Sequence, residues 1–276
     1  SLTNNSTGGN NVAVGLYAGR FNTTGGNNVG IGLSALYSNT TASKNTAVGY
    51  QAGLSNTTGD RIVAVGEGSL YSNTTGNYNV ALGSKSLRSN TTGNSNISIG
   101  HEALYSNTTS SNNTAVGFEA GYANTTGTSN SALGYQALRY TTASNNNAFG
   151  FQALYSNTTG AVQTAMGHAA LNANTTGTEN TAFGGAALLD NTTGNYNVAV
   201  GRNALANNTT ASANTAVGYQ ALTTNTTGGD NAAFGYQAAQ SNTTGDYLTA
   251  IGRQALYNNT TGIDNTAVGY QAGYSN

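Results

Sequence analysis

The sequence has no cysteine, no proline and no tryptophan, a single methionine and very little charge. Without cysteine there are no disulfides and no thiol chemistry, and this is neutral about compartment. Proline removes a backbone donor, so its absence over 276 residues suits an uninterrupted hydrogen-bonded ladder. Eight Lys or Arg against nine Asp or Glu leave a net charge of -1. That offers no basic face to nucleic acid or an anionic membrane. No stretch approaches the ~20 apolar residues of a membrane span, and no charged-then-apolar leader opens the sequence. Low apolar content would suggest disorder, but disorder also calls for high net charge.

What is present is a period. One glycine per unit sets the register: Gly15, Gly32, Gly49, Gly66, Gly83, Gly100, Gly117, Gly134, Gly150, Gly167, Gly184, Gly201, Gly218, Gly235, Gly252 and Gly269. Every interval is 17 except Gly134 to Gly150, which is 16. A typical unit runs from Asn214 to Asp230 and reads NTAVGYQALTTNTTGGD. Counting from its Asn, position 1 is Asn, with exceptions at Ile62, Gln163 and Leu248. Position 2 is mostly β-branched, position 3 small, position 4 large and apolar, and position 5 the marker Gly. Position 6 varies, position 8 is Ala or Ser, and positions 12 to 15 read Asn-Thr-Thr-Gly with few changes. Such a chain builds a stack in which each unit touches its neighbours, with no single globular core.

Helix is a poor reading, because Asn, Thr, Gly and Val are weak helix formers. Positions 1 to 5 alternate like a strand, and turn chemistry follows at positions 15 to 17. The expected fold is therefore all-β: a parallel β-solenoid, or β-roll, of about 16 coils, one domain over residues 1–276 and a window of a longer array. Each coil is expected to hold a strand, a bend after the marker Gly, a second short strand and a turn. A coil rise of about 4.8 Å makes a rod of roughly 75 Å, with Asn and Thr ladders along its outside. Positions 2, 4 and 9 are the expected interior. Positions 3 and 5 then form a flat face of Ala, Ser and Gly. Its candidate inter-chain packing residues include Ala47, Gly49, Ala115, Gly117, Ala216 and Gly218. A second reading is that these small residues permit a tight bend.

Position 12 is the Asn of an Asn-Thr-Thr or Asn-Ser-Thr triplet at Asn5, Asn22, Asn39, Asn56, Asn73, Asn90, Asn107, Asn124, Asn157, Asn174, Asn191, Asn208, Asn225, Asn242 and Asn259. Each is an N-glycosylation acceptor sequence, so one edge of the rod is a candidate glycan row. The competing reading is a ladder of Asn amides bonded to one another. After Arg139 the Asn is absent while Thr141 and Thr142 remain, which favours a structural role for the Thr pair. Thr rows on a solenoid also raise ice binding. Asn at position 12 and Thr at position 14 are expected to share a face, giving a single mixed row where paired Thr rows would be needed.

No catalytic constellation stands out, and neither a metal nor a cofactor is expected. His101 and His168 both occupy position 6 but lie four coils apart, about 19 Å at strand spacing. The acidic residues scatter without pairing. Gly228-Gly229-Asp230 lacks the nonapeptide spacing of calcium-binding repeats. Gly30-Ile-Gly32-Leu-Ser-Ala35 matches a dinucleotide fingerprint only as a variant of the standard unit, with no helix expected after it. Tyrosines such as Tyr37, Tyr71, Tyr105, Tyr155 and Tyr257 are expected to stack as ladders; stacking on sugars is the alternative.

The segment Asn-Thr-Ala-Val-Gly-Tyr-Gln-Ala-Leu, Asn214 to Leu222 and again near Asn45 and Asn265, resembles the head repeat of trimeric autotransporter adhesins and similar repeats of phage tail fibres. The resemblance implies a left-handed parallel β-roll, a trimer, and a place on the outside of a cell or virion. It covers positions 1 to 9 of each unit; the longer unit and the fixed Asn-Thr-Thr-Gly turn depart from it. The expected function is a non-enzymatic extracellular structural fibre. Its partners are copies of itself, in a lateral trimer, an end-to-end filament or both, with glycans where the acceptor row is used. The alternative is a surface adhesin or phage tail-fibre head that binds a glycan or host receptor, with an ice-binding solenoid third.

Overall fold

The computed structural model describes residues 1–275, and it is all-β. The chain forms a parallel β-solenoid with sixteen three-residue strands, one per repeat, and no helix among the described residues. It divides into two compact units, residues 1–136 and residue 137 onward. The first holds β1 (Val12–Val14), β2 (Val29–Ile31), β3 (Thr46–Val48), β4 (Val63–Val65), β5 (Val80–Leu82), β6 (Ile97–Ile99), β7 (Thr114–Val116) and β8 (Ser131–Leu133). The second holds β9 (Asn147–Phe149), β10 (Thr164–Met166), β11 (Thr181–Phe183), β12 (Val198–Val200), β13 (Thr215–Val217), β14 (Ala232–Phe234), β15 (Thr249–Ile251) and β16 (Thr266–Val268).

Within each unit, consecutive strands pair in parallel and without slippage. Thr215, Ala216 and Val217 of β13 lie beside Ala232, Ala233 and Phe234 of β14. A fixed 17-residue coil makes this register automatic, since equal positions recur at equal places in the path. Identical side chains therefore stack in rows, as the period predicts.

The strand phase is the reverse of the expected one. Positions 2 and 4 are half-buried or exposed in every strand, and position 3 is buried in every strand but β1. The interior consists of Ala at positions 3 and 8, Leu at position 9, Asn at positions 1 and 12, and Gly at position 15; Asn214, Ala216, Ala221, Leu222 and Asn225 are buried in one coil. The physical reason is the narrow cross-section. A Cβ built on Gly53, at position 9, would lie 3.7 Å from the Ala47 Cβ at position 3 and 3.1 Å from Leu36 of the preceding coil. With Leu and two Asn filling a typical coil, position 3 has room only for a small side chain, a methyl in most coils and the hydroxymethyl of Ser98 in one. Where position 9 is reduced to Gly53, Ile62 fills the gap, its Cδ1 3.7 Å from the same point.

The proposed small-residue docking face must be corrected accordingly. Ala47, Ala115 and Ala216 are wholly buried inside their own coils and cannot meet another chain. Gly49, Gly117 and Gly218 are small for a different reason. Their φ values are +138°, +138° and +142°, and a Cβ would strike the backbone of the marker glycine one coil on. The tight-bend reading accounts for them. The Asn ladder is likewise inside the coil, whereas the Thr rows are half-buried or exposed.

A second regular strand is also absent. Positions 6 to 11 form a continuous turn in which left-handed residues recur: Gln220 (φ +55°) at position 7 and Leu222 (φ +50°) at position 9, with Ala213 (φ +59°) at position 17 of the coil before. Each costs roughly 1–2 kcal/mol for a side chain with a Cβ. Coil-to-coil bonds offset this. The Gln220 amide donates back to Arg202 O (3.0 Å), while the Leu222 and Thr224 amides donate forward to Ala238 O (3.0 Å) and Gln240 O (3.2 Å). Between Gln220 and Leu222 the Ala221 N–H bonds within its own coil, to Gly218 O (3.3 Å), so coil-to-coil bonding continues on either side of it where β geometry stops.

Val162 is the least comfortable of these residues. It sits at position 17 with φ +59° and is 54% exposed, so its branched side chain gains little from burial. Asn10, Asn27, Asn112 and Asn145 adopt the same conformation at equivalent places. Val162→Asn is expected to stabilise the coil by about 1 kcal/mol, read as slower hydrogen exchange of the surrounding amides. Unchanged or faster exchange would contradict the strain assigned to this site.

Candidate functional surface

The polar interior leaves few groups free for chemistry. In the coil beginning at Asn214, Asn214 Nδ2 and Asn225 Nδ2 both donate to Gly228 O, at 2.9 and 2.8 Å. Asn225 Nδ2 also donates to Asn208 Oδ1 one coil back (3.1 Å), and Asn225 Oδ1 accepts from Asn242 Nδ2 (2.8 Å). Asn214 Oδ1 accepts the Asn231 backbone amide (3.0 Å). Positions 1 and 12 thus converge on one carbonyl, and both capacities of each amide are used along the stack. Gln163 fits the same pattern, its Oε1 accepting the Asn180 amide at 3.1 Å.

The Asn of every acceptor triplet except Asn5 is therefore buried. The nitrogen that would carry a glycan is the one donating to the neighbouring Asn and to its own coil's position-15 carbonyl, as Asn191 Nδ2 does to Asn174 Oδ1 (2.8 Å) and Gly194 O (3.1 Å). The short interval also reads differently in three dimensions. Thr141 occupies the place of the missing Asn: it is buried, and Asn157 Nδ2 donates to its Oγ1 at 3.1 Å. It is a substitute rung of the ladder, and the surface Thr pair is not conserved there as a pair.

The two threonines after each Asn have separate roles. The first bonds inward along the stack, as Thr226 Oγ1 does to Thr243 O (3.0 Å). The second, such as Thr193 or Thr227, is exposed. Asn at position 12 and Thr at position 14 do not share a face, as was expected for the ice reading; the exposed hydroxyls run in a single file.

Position 6 carries the aromatic rows. His101 stacks on Phe118, which stacks on Tyr135, with ring centroids 5.4 and 5.3 Å apart. In the second unit Phe151 stacks on His168 (5.1 Å) and Tyr219 on Tyr236 (5.4 Å). Position 10 repeats the device with Tyr105 on Tyr122 and Tyr257 on Tyr274. Arginine substitutes for a ring in such rows: the Arg253 guanidinium lies 5.4 Å from the Tyr236 ring and 5.9 Å from Tyr270, and Arg88 lies 4.7 Å from Tyr71. A ring stacked on both sides, like Phe118, presents only its edge, so a sugar has no face to lie on.

The titratable groups serve the stack. Asp60 and Asp246 accept the Ser43 and Gly229 backbone amides at 2.6 and 2.7 Å. Glu102 lies 3.6 Å from Lys85. Among the described residues no three His, Cys, Asp or Glu gather where an ion could be held. Gly30 and Gly32 are strand and bend residues of the standard coil. No described helix is long and apolar enough to cross a membrane.

Comparison with family models, with curated proteins and with solved structures returned no match.

Proposed function

We propose that this protein is a non-enzymatic structural element, a stretch of extracellular fibre whose repeating coils are the function. The observation that supports this most directly is the filled, repetitive interior. Each coil commits its amides, Ala and Leu to the coils on either side, and the same bonds recur through each unit. A catalytic protein concentrates perturbed, convergent groups in one cleft; here the chemistry is spread evenly. The location outside a cell or on a virion rests on the resemblance to trimeric autotransporter adhesin heads and tail-fibre repeats.

On this reading the Asn-Thr-Thr row is an internal ladder and is unglycosylated, because a glycan would displace two hydrogen bonds at each buried nitrogen. The adhesin alternative would draw on the variable outward rows, positions 6 and 17. Electron microscopy of the purified 276-residue chain is expected to show uniform elongated particles, with an intact mass of 27.8 kDa for the polypeptide alone. Compact particles would refute the structural reading; a mass raised by glycans would refute the ladder-only reading of the Asn row.

A further inference from the structure

In the second unit the position-6 row has a gap one side chain deep. The row runs Phe151, His168, Gly185, Arg202, Tyr219 and Tyr236. The backbone does not demand glycine at Gly185: its φ is not left-handed, and a Cβ would meet nothing within 4 Å. The following position is short as well, with Ala169 and Ala186 standing between Gln152 and Asn203. On one side of the gap His168 lies with a face on Phe151, the centroids 5.1 Å apart and the planes 6° from parallel. On the other side Arg202 is exposed. Its guanidinium makes no hydrogen bond, no ion pair and no contact over a tyrosine or phenylalanine ring.

We propose that this gap is a binding seat for one electron-rich aromatic ring, a phenol or its equivalent. The same row shows what such a seat takes. Tyr236 stands between Tyr219 and Arg253, 5.4 Å from the ring on one side and 5.4 Å from the guanidinium on the other. Phe118 stands likewise between His101 and Tyr135. His168 and Arg202 are also two coils apart, about 9.6 Å at strand spacing. A ring supplied from solution therefore meets an imidazole face on one side and a cation on the other. The cation favours an electron-rich ring, and a saturated ring has no π face to offer it. His101 provides the contrast. It stacks on Phe118 much as His168 does on Phe151, but its other neighbour in the row is Ser84, whose hydroxyl donates to Glu67 (2.7 Å). A carboxylate on that side repels a π face. The seat does not depend on the fibre reading, because a stack that forms no fibre still has it.

The test is NMR of the full chain labelled at its two histidines and titrated with p-cresol. The His168 ring resonances are expected to shift upfield and to saturate in the millimolar range, as suits a single small ring, while those of His101 stay in place. Methylcyclohexanol, of similar shape but without a π face, is expected to shift neither. Arg202→Gln is expected to weaken binding roughly threefold. Gly185→Tyr supplies the ring from within; with its circular dichroism kept, it is expected to show His168 already shifted and to lose the response to p-cresol. N-acetyltyrosine amide carries the same ring on a peptide backbone. Tighter binding than p-cresol assigns the ring to a protein side chain, and weaker binding to a free phenol; both support the seat. No saturable shift at His168, equal shifts at both histidines or equal binding of methylcyclohexanol overturns the proposal. Binding undiminished in Arg202→Gln or in Gly185→Tyr overturns it as well.

Discussion

Replacing Gly184 by alanine is expected to unfold its neighbourhood, while the same change at adjacent Gly185 is expected to be nearly silent. A Cβ on Gly184 would lie 2.6 Å from both the carbonyl carbon and oxygen of Gly201, and φ there is +142°. Both obstacles are main chain, and both belong to a coil already held by its own neighbours. Nothing flexible can give way. The cost combines overpacking of about 1–3 kcal/mol with backbone strain of about 1–2 kcal/mol, so roughly 3 kcal/mol or more is expected. At Gly185 a Cβ would meet nothing within 4 Å. Hydrogen exchange resolved along the chain is the suitable measurement, because a repeat array need not unfold in one step. Fast exchange should spread from β11 and β12 in Gly184→Ala and be missing in Gly185→Ala. Equal behaviour of the two variants would mean that adjacent coils are not seated as closely as described.

The second large effect is expected at Asn191. Its Nδ2 donates to Asn174 Oδ1 and Gly194 O, and its Oδ1 accepts from Asn208 Nδ2 at 2.9 Å. Asn191→Ala removes three bonds and leaves the Asn174 oxygen and one Asn208 proton buried without partners. Unsatisfied buried groups cost about 1–3 kcal/mol each beyond the bond itself, so a loss of roughly 3 kcal/mol is expected. Asn191→Thr should recover part of it, because Thr141 already serves as the acceptor below Asn157. The check is again local exchange, or the denaturant midpoint of the second unit's transition. An alanine variant as stable as wild type would show that the interior amides contribute little and that Leu and Ala packing alone holds the coil.

Much of this molecule is legible in its sequence. A period of 17 anchored on one invariant glycine leads to a solenoid, because equal path lengths return equal positions to equal places. The ladder reading of Asn225 and its equivalents follows from the same argument, and so does the stacking of Tyr219 on Tyr236. The errors of orientation share one cause. Val at position 4 and Ala at position 3 alternate, and alternation says which residues share a face but not which face turns inward. The habit of placing the larger side chain inside put Val217 in the core and Ala216 at an interface. A better signal was present: Ala221, Leu222 and two Asn per coil already supply the volume that a narrow coil can hold. The left-handed conformation of Leu222 left no such trace, since nothing in its residue type announces a positive φ.

Repetition, register, strand location and the demand for glycine at each bend were thus set by local chemistry and spacing, which any neighbour relationship inherits from the period. The inward turn of Ala216, the burial of both Asn rows and the outward turn of the Phe183 row depended on how much volume the closed coil encloses. Volume is a property of the folded cross-section, shared among six positions at once, and no window of sequence contains it.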